Sequence, residues 1–275
     1  MQGGAPRRPF FFSYDAAMTH TVAAGDARIE VIAEGEGPPV VVLASRGRGA
    51  GDYDELAREL ARAGYRVLRP QPRGIGASRG PMRGLTLHDL ARDVAAVIVH
   101  ERAGPAVVVG HAFGNWVARA TAADHPRLVR GVAILAAAAK RYPKELAEAV
   151  TKCADTSLPD AERLKYLQLA FFAPGHDASE WLAGFYPEVN ASQRAAGLAT
   201  SQAEWWGAGS APILDVQAEL DAFRPRETVR ELRHELGERV TVVTVRDAGH
   251  ALVPEQPAAV ASALIGWMRR LPTGN

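Results

Sequence analysis

The chain has 275 residues, a length that suits one domain with an inserted subdomain. Hydrophobic residues make up 47% and charged residues 23%, as in globular proteins with a sizeable core. The net charge of +1 gives no electrostatic reason to expect a nucleic-acid partner, and a single cysteine, Cys153, excludes an internal disulfide framework.

The N-terminal segment is predicted to be a flexible arm over residues 1–20. Arg7 and Arg8 precede three phenylalanines, as in a twin-arginine export signal. The apolar run then stops, however, and a run of this length is too short for a signal peptide. No apolar run in the sequence approaches the roughly 20 residues that a membrane helix needs. We therefore expect a cytoplasmic protein with no membrane partner.

Short apolar runs then alternate with helical patterns. Strands are predicted at 28–33, 38–45, 65–70, 106–110, 129–137, 211–217 and 239–245. Helices are predicted at 52–64, 85–101, 114–126, around 224–236 and at 257–271. This alternation indicates parallel βαβ units in an α/β fold. Residues 139–207 are instead helical and aromatic, which predicts a helical lid inserted into a core of residues 21–138 and 208–275.

The stretch VVVGHAFGNWVARA, residues 107–120, predicts a strand, a tight turn and a helix. In the motif G-x-S-x-G, a serine on such a turn is the nucleophile of an acyl-transfer enzyme. Gly110 and Gly114 stand where this motif needs glycine, but Ala112 occupies the serine position. An alanine methyl group cannot attack a carbonyl.

Candidates for the acid and the base follow in the chain order that this motif requires. Asp221 follows the strand at 211–217, with Asp215 and Glu219 as rival acids. His250 lies in a Gly-His turn after the last strand. Because the carboxyl ends of parallel strands meet at one edge of a sheet, these side chains are expected to lie near Ala112.

Over about residues 25–272 the chain resembles the α/β-hydrolase superfamily. GHAFGN is similar to its GHSxGG elbow, RPQPRGIGASRGP (69–81) to its P-D-x-R-G-x-G-x-S segment, and DAGHALVPEQP (247–257) to its G-H-x-x-x-x-E-x-P ending. The resemblance implies a mostly parallel central sheet flanked by helices, with a lid before the acid-bearing strand. It also implies an oxyanion hole built from the backbone N–H groups of Arg46 and Phe113, although Ala44-Ser45 replaces the family's His-Gly.

Three hypotheses for the function remain open. In the first, the natural residue at 112 is serine and this chain is an inactivated hydrolase of a small, mainly apolar ester, lactone or similar carbonyl compound. In the second, alanine is natural, and His250 with Asp221 acts as a general base in water activation, a lyase step or an isomerisation. In the third, the protein binds a small ligand and catalyses nothing.

Several expectations concern ligands and partners. Trp181, Trp205 and Trp206 are expected to line the substrate pocket, or else to form the core of the lid. The glycines at 47, 49 and 51 do not make a dinucleotide fingerprint, because Asp52 stands where G-x-G-x-x-G continues. No cofactor and no metal site is expected, and the small-molecule substrate is the expected partner of a monomer or homodimer.

Overall fold

The computed structural model describes residues 17–272, and within this range the chain forms one eight-stranded sheet. The strands are β1 (Met18–Ala24), β2 (Ala27–Glu34), β3 (Pro39–Leu43), β4 (Arg66–Pro70), β5 (Ala106–His111), β6 (Val129–Leu135), β7 (Ile213–Ala218) and β8 (Val240–Val245). Their order is β1-β2-β4-β3-β5-β6-β7-β8. β2 pairs antiparallel with β1 and β4, and all other pairs are parallel. The predicted mostly parallel α/β sheet is confirmed.

Ten α-helices flank or follow these strands in the described range. They are α1 (Asp54–Arg62), α2 (Leu87–His100), α3 (Phe113–Asp124), α4 (Lys144–Cys153), α5 (Asp160–Ala170), α6 (Pro187–Ala199), α7 (Gln202–Trp205), α8 (Glu231–Leu236), α9 (Leu252–Glu255) and α10 (Pro257–Met268). None of them combines the length and the apolar character of a bilayer-spanning helix.

The local sequence explains where several elements begin. Thr86 and Asp89 form a reciprocal capping box at the start of α2, which satisfies two backbone N–H groups that have no partner within the helix. β3 and β5 are runs of valine that are buried on both faces, as parallel central strands are. Apolar residues of α2 and α3 pack on one face of the sheet, and those of α1 and α10 pack on the other.

The N-terminal prediction needs one correction. Residues 18–20, which were assigned to the arm, belong to β1 and pair with β2, with Met18 opposite Ala33 and His20 opposite Val31. The strand was missed because it buries only two of its seven residues, so its sequence lacks the apolar alternation of a core strand. Residues 1–16, and the export-signal question with them, lie outside the described range.

The segment between β6 and β7 contains α4 to α7 and no strand. Phe171, Phe172, Trp181 and Phe185 form a cluster of their own with Phe223 from the core, whereas Trp205 and Trp206 pack into the core cluster on the sheet. Helix α6 lies against the loop after β3, where the backbone N–H of Gly47 donates to Gln193 Oε1 at 2.7 Å. A Cβ at Gly47 would come within 2.7 Å of the Asn190 Cβ, so only glycine permits this approach. That the segment acts as a lid stays a prediction.

Candidate active site

Ala112 lies on a strained turn between β5 and α3. Its φ of 47° and ψ of −115° place it in a left-handed region that side chains disfavour. The two flanking glycines are sterically required, because a Cβ at Gly110 would lie 2.2 Å from Gly114 O and one at Gly114 would lie 2.6 Å from Leu43 O. The turn therefore has the sharp strand-to-helix geometry that presents a nucleophile at the edge of a sheet.

His250 and Asp221 form a buried acid–base pair at the same edge. His250 Nδ1 lies 3.0 Å from Asp221 Oδ1 and 3.1 Å from Oδ2, and the two side chains are 7% and 1% exposed. Phe223 donates its backbone N–H to Asp221 Oδ1 at 2.9 Å, which orients the carboxylate. When Nδ1–H donates to Asp221, Nε2 is the ring nitrogen that can accept a proton.

The rival acids have other partners. Asp215 pairs with Arg224 at 2.9 Å within the core, and Glu219 accepts the backbone N–H of Asp247 at 3.2 Å. The structure therefore brings Asp221 to His250 and keeps the other two carboxylates away from it.

One cavity is lined by four of the predicted site residues, Arg46, Ala112, Phe113 and His250, and Asp221 is bonded to His250 at its wall. It encloses about 520 Å³ of empty space, including its open mouth. Its lining consists of Ser45, Arg46, Ala112, Phe113, Asn115, Trp116, Ala138, Tyr142, Val150, Phe171, Phe223 and His250. Most of these side chains are apolar, so water would be largely displaced by a bound ligand.

The structure does not bring the three predicted pocket tryptophans to this cavity. Trp205 stacks behind the lining residue Trp116 with ring centroids 5.1 Å apart, and Trp206 packs under the Arg119 guanidinium at 4.6 Å. Trp181 is 3% exposed within the aromatic cluster of the helical segment. Large aromatic surfaces are strongly favoured in cores, which explains why composition alone pointed to these residues.

Two residues that line the cavity, Arg46 and Phe113, have backbone N–H groups of interest. In residues 17–272, those of Arg46 and Phe113 have no acceptor, although the neighbouring N–H of Ser45 donates to Tyr53 Oη at 2.9 Å and that of Gly47 is also bonded. Phe113 is the first residue of α3, where N–H groups lack a partner within the helix. Free donors at this position suit a developing oxyanion.

A buried tyrosine–histidine pair connects the loop after β3 to His250. Tyr53 Oη donates to His111 Nδ1 at 2.8 Å, and His111 Nε2–H donates to the backbone oxygen of His250 at 2.7 Å. Burial, together with the nearby His250, lowers the pKa of His111 to about 3. His111 is therefore a neutral residue that holds the loop of His250 by local hydrogen bonds.

Glu255 holds the His250 loop in place, a role that the sequence analysis did not assign. Its carboxylate accepts the backbone N–H of Gly249 at 2.7 Å and that of Ala173 at 2.6 Å. Burial raises the pKa of this carboxyl. The signal was present in the sequence, because Glu255 is the glutamate of the G-H-x-x-x-x-E-x-P ending.

One group of potential metal ligands occurs in the part of the chain that is described. Donor atoms of His20, His100 and Glu101 lie within 4.8 Å of one another, and the sequence analysis did not identify them. Glu101 already pairs with His20 at 2.5 Å and with Arg66, so ion pairing accounts for the group. None of the three residues lines the cavity at Ala112.

Comparison with known proteins identifies the fold and its family. Residues 40–263 match the model of the Alpha/beta hydrolase family. A thermophilic esterase from Thermogutta terrifontis superposes with a TM-score of 0.76 at 23% identity, covering 94% of this chain and 100% of that one. At this identity the likeness shows the fold.

Two curated relatives show similarity in sequence. A pyrrolizixenacetamide deacetylase of Xenorhabdus hominickii is 32% identical over 119 residues, which are 42% of this chain and 44% of the relative. The matched stretch thus spans under half of that protein. A putative carbamate hydrolase, RutD, of Variovorax paradoxus is 25% identical over 88% of this chain and 96% of its own length. Because the family model spans most of the sequence, the chain belongs to the alpha/beta hydrolase family.

Proposed function

We propose that this site is built to hydrolyse a small carbonyl compound, such as an ester or a lactone, through a nucleophile at position 112. The observation that carries the proposal is the strained turn at Ala112, which opens into the same cavity as the buried His250–Asp221 pair. The names of the relatives support this proposed reaction, since a deacetylase, a carbamate hydrolase and an esterase all cleave bonds to a carbonyl carbon.

The residues would act in the following order if serine stood at position 112. His250 Nε2 takes the hydroxyl proton while the oxygen attacks the carbonyl carbon, and the N–H groups of Arg46 and Phe113 hold the oxyanion. The leaving group receives the proton from His250, and water, activated by the same nitrogen, then releases the acid. Asp221 orients the ring and stabilises its cation throughout.

Alanine at position 112 supports a second candidate function. His250 and Asp221 could still activate water directly, in a reaction with no covalent intermediate. The pair is intact and buried, and Nε2 of His250 has no hydrogen-bond partner among the described residues. This candidate covers hydrolysis by activated water as well as a lyase or isomerase step.

The proposal also covers the helical segment beside the site, and the location and assembly of the protein. The helical segment over residues 139–207 acts as a lid, supported by the contacts of α6 with the loop after β3 and by the cavity lining that it contributes, Tyr142, Val150 and Phe171. The protein works in the cytoplasm as a monomer or homodimer on a small-molecule substrate. The net charge of +1 and the single cysteine are consistent with this assignment.

The test compares the chain as it stands with Ala112→Ser on a panel of small aryl esters and lactones. We expect turnover by the serine variant and near-background rates for the alanine chain, apart from the residual catalysis that an oxyanion hole supports. In the serine background, Asp221→Asn should lower kcat on the order of 10⁴-fold. Glu219→Gln is the matched control, because that carboxylate lies outside the site.

Three other outcomes would redirect the assignment. If the alanine chain is the better catalyst and His250→Ala abolishes its activity, the reaction runs through activated water. If neither chain hydrolyses anything while both remain folded by circular dichroism, the serine mechanism is the wrong one. If substrates bind and His250→Ala changes no rate, the protein is a binding module.

A further inference from the structure

The Arg46 side chain lines the catalytic cavity but has no acidic partner. Its Nε donates to Asn190 Oδ1 at 2.9 Å, and no carboxylate in residues 17–272 lies within ion-pair distance of it. Its neighbour Arg48, which is buried where Arg46 is only half-buried, binds both oxygens of Asp52, at 2.6 and 2.9 Å. Of these two arginines on one loop, the one in the cavity is the one left unpaired.

The groups around Arg46 supply no negative charge. Besides Asn190, Tyr142 and Cys153 are the uncharged polar residues that influence Arg46, and burial raises the pKa of the Cys153 thiol to about 12, which keeps the thiol neutral. Arg194 on α6 adds a second cation. Burial lowers the pKa of Arg46. This direction is expected for a guanidinium that has lost part of its hydration without gaining a counter-ion. A buried charge is costly until it is paired, so the free site favours an anion from outside.

Asn190 also orients the guanidinium. It belongs to α6 and packs against Gly47, next to Arg46 in the chain. Because Nε is already bonded to Asn190, the two Nη groups are the donors that remain, and neither has an acceptor among the described residues. A planar pair of N–H donors matches the two oxygens of a carboxylate.

We propose that Arg46 binds a carboxylate of the substrate, so that the preferred substrates are carbonyl compounds carrying one carboxylate besides the bond that is cleaved. This assignment rests on the proposed function and names its substrate class. Arg194 is exposed, so solvent screens its charge. The partly desolvated guanidinium of Arg46 then balances one negative charge, which favours a carboxylate over a phosphate. The apolar part of the cavity then holds the chain that joins the carboxylate to the reacting carbonyl.

The catalytic test uses two substrates that differ by one charge. In the Ala112→Ser background, kcat/KM is measured for 4-nitrophenyl hexanoate and for the mono-4-nitrophenyl ester of adipic acid, with the uncatalysed rates subtracted. Arg46→Gln should lower the adipate-to-hexanoate ratio of kcat/KM about 10-fold or more, the effect of one charged hydrogen bond. Arg46→Lys keeps the charge and should restore part of the ratio. Arg127→Gln, an exposed residue before β6 at the opposite sheet edge, should leave it unchanged.

A binding test separates this inference from the proposed function, since it requires no turnover. Monomethyl adipate is titrated calorimetrically into the chain as it stands and into Arg46→Gln and Arg46→Lys. The inference predicts saturable binding that weakens about 10-fold or more in the glutamine variant and less in the lysine variant. Equal affinities in folded variants, or no saturable binding by the unmodified chain, would overturn it. If the serine variant turns over both esters and the adipate-to-hexanoate ratio does not depend on Arg46, the hydrolase assignment stands and the carboxylate site is refuted.

Discussion

His111 makes the stability of the protein sensitive to mild acid. The ring is fully buried, accepts from Tyr53 and donates to the backbone of His250, so the folded chain has no room for a second ring proton. Its pKa falls from 6.5 to about 3. Above pH 6.5 the ring is neutral in both the folded and the unfolded states. Between pH 6.5 and pH 3 only the unfolded chain binds the proton, so stability falls as the pH falls.

The size of the effect follows from this shift. A pH of 5 lies about 1.5 units below the pKa of the His111 ring in the unfolded chain, and each unit corresponds to about 1.36 kcal/mol. The free energy of unfolding should therefore drop by about 2 kcal/mol between pH 7.5 and pH 5 because of His111 alone. Because the side chain is buried, solvent does not screen this contribution.

The variant His111→Gln isolates this contribution. Its amide keeps a donor and an acceptor but does not titrate, so its stability should lack this part of the pH dependence. The measurement is urea unfolding followed by tryptophan fluorescence at pH 7.5, 6 and 5 for both chains. The stability difference between the unmodified chain and the variant should change by about 2 kcal/mol across this range. Parallel stability curves would refute the reasoning, because they would mean that the folded ring takes up the proton as readily as the unfolded one.

Two further substitutions test the scaffold of the site. Tyr53→Phe removes the hydroxyl that bonds Ser45 and His111, leaving two buried polar groups unpaired. The free energy of unfolding in urea should fall by about 1–3 kcal/mol, and an unchanged midpoint would show that water replaces the hydroxyl. Gly114→Ala would place a Cβ 2.6 Å from a backbone oxygen of β3 and should cost about 1–3 kcal/mol or more in a thermal melt. Gly51→Ala is its control, since no atom lies within 4 Å of the added Cβ; equal melting temperatures would contradict the predicted clash.

The features of this protein that depend on local pattern were predictable from its residues. Runs of valine predicted the buried strands β3 and β5, and the helical pattern at 85–101 predicted α2. The glycines around Ala112 identified the tight turn, because their spacing reflects a steric need within a few residues. The chain order of acid and histidine placed the candidate residues at one sheet edge, since parallel strands all end there.

Only the tertiary structure decided which side chains meet. Asp215, Glu219 and Asp221 stand close together in the sequence, but backbone direction and burial bring only Asp221 to His250. From the sequence, the tryptophans suited either a pocket or a core, and packing placed Trp205 behind the cavity wall. The lack of a counter-ion at Arg46 likewise depends on the tertiary structure. Whether a charge is paired depends on residues far away in the chain, which composition and spacing do not record.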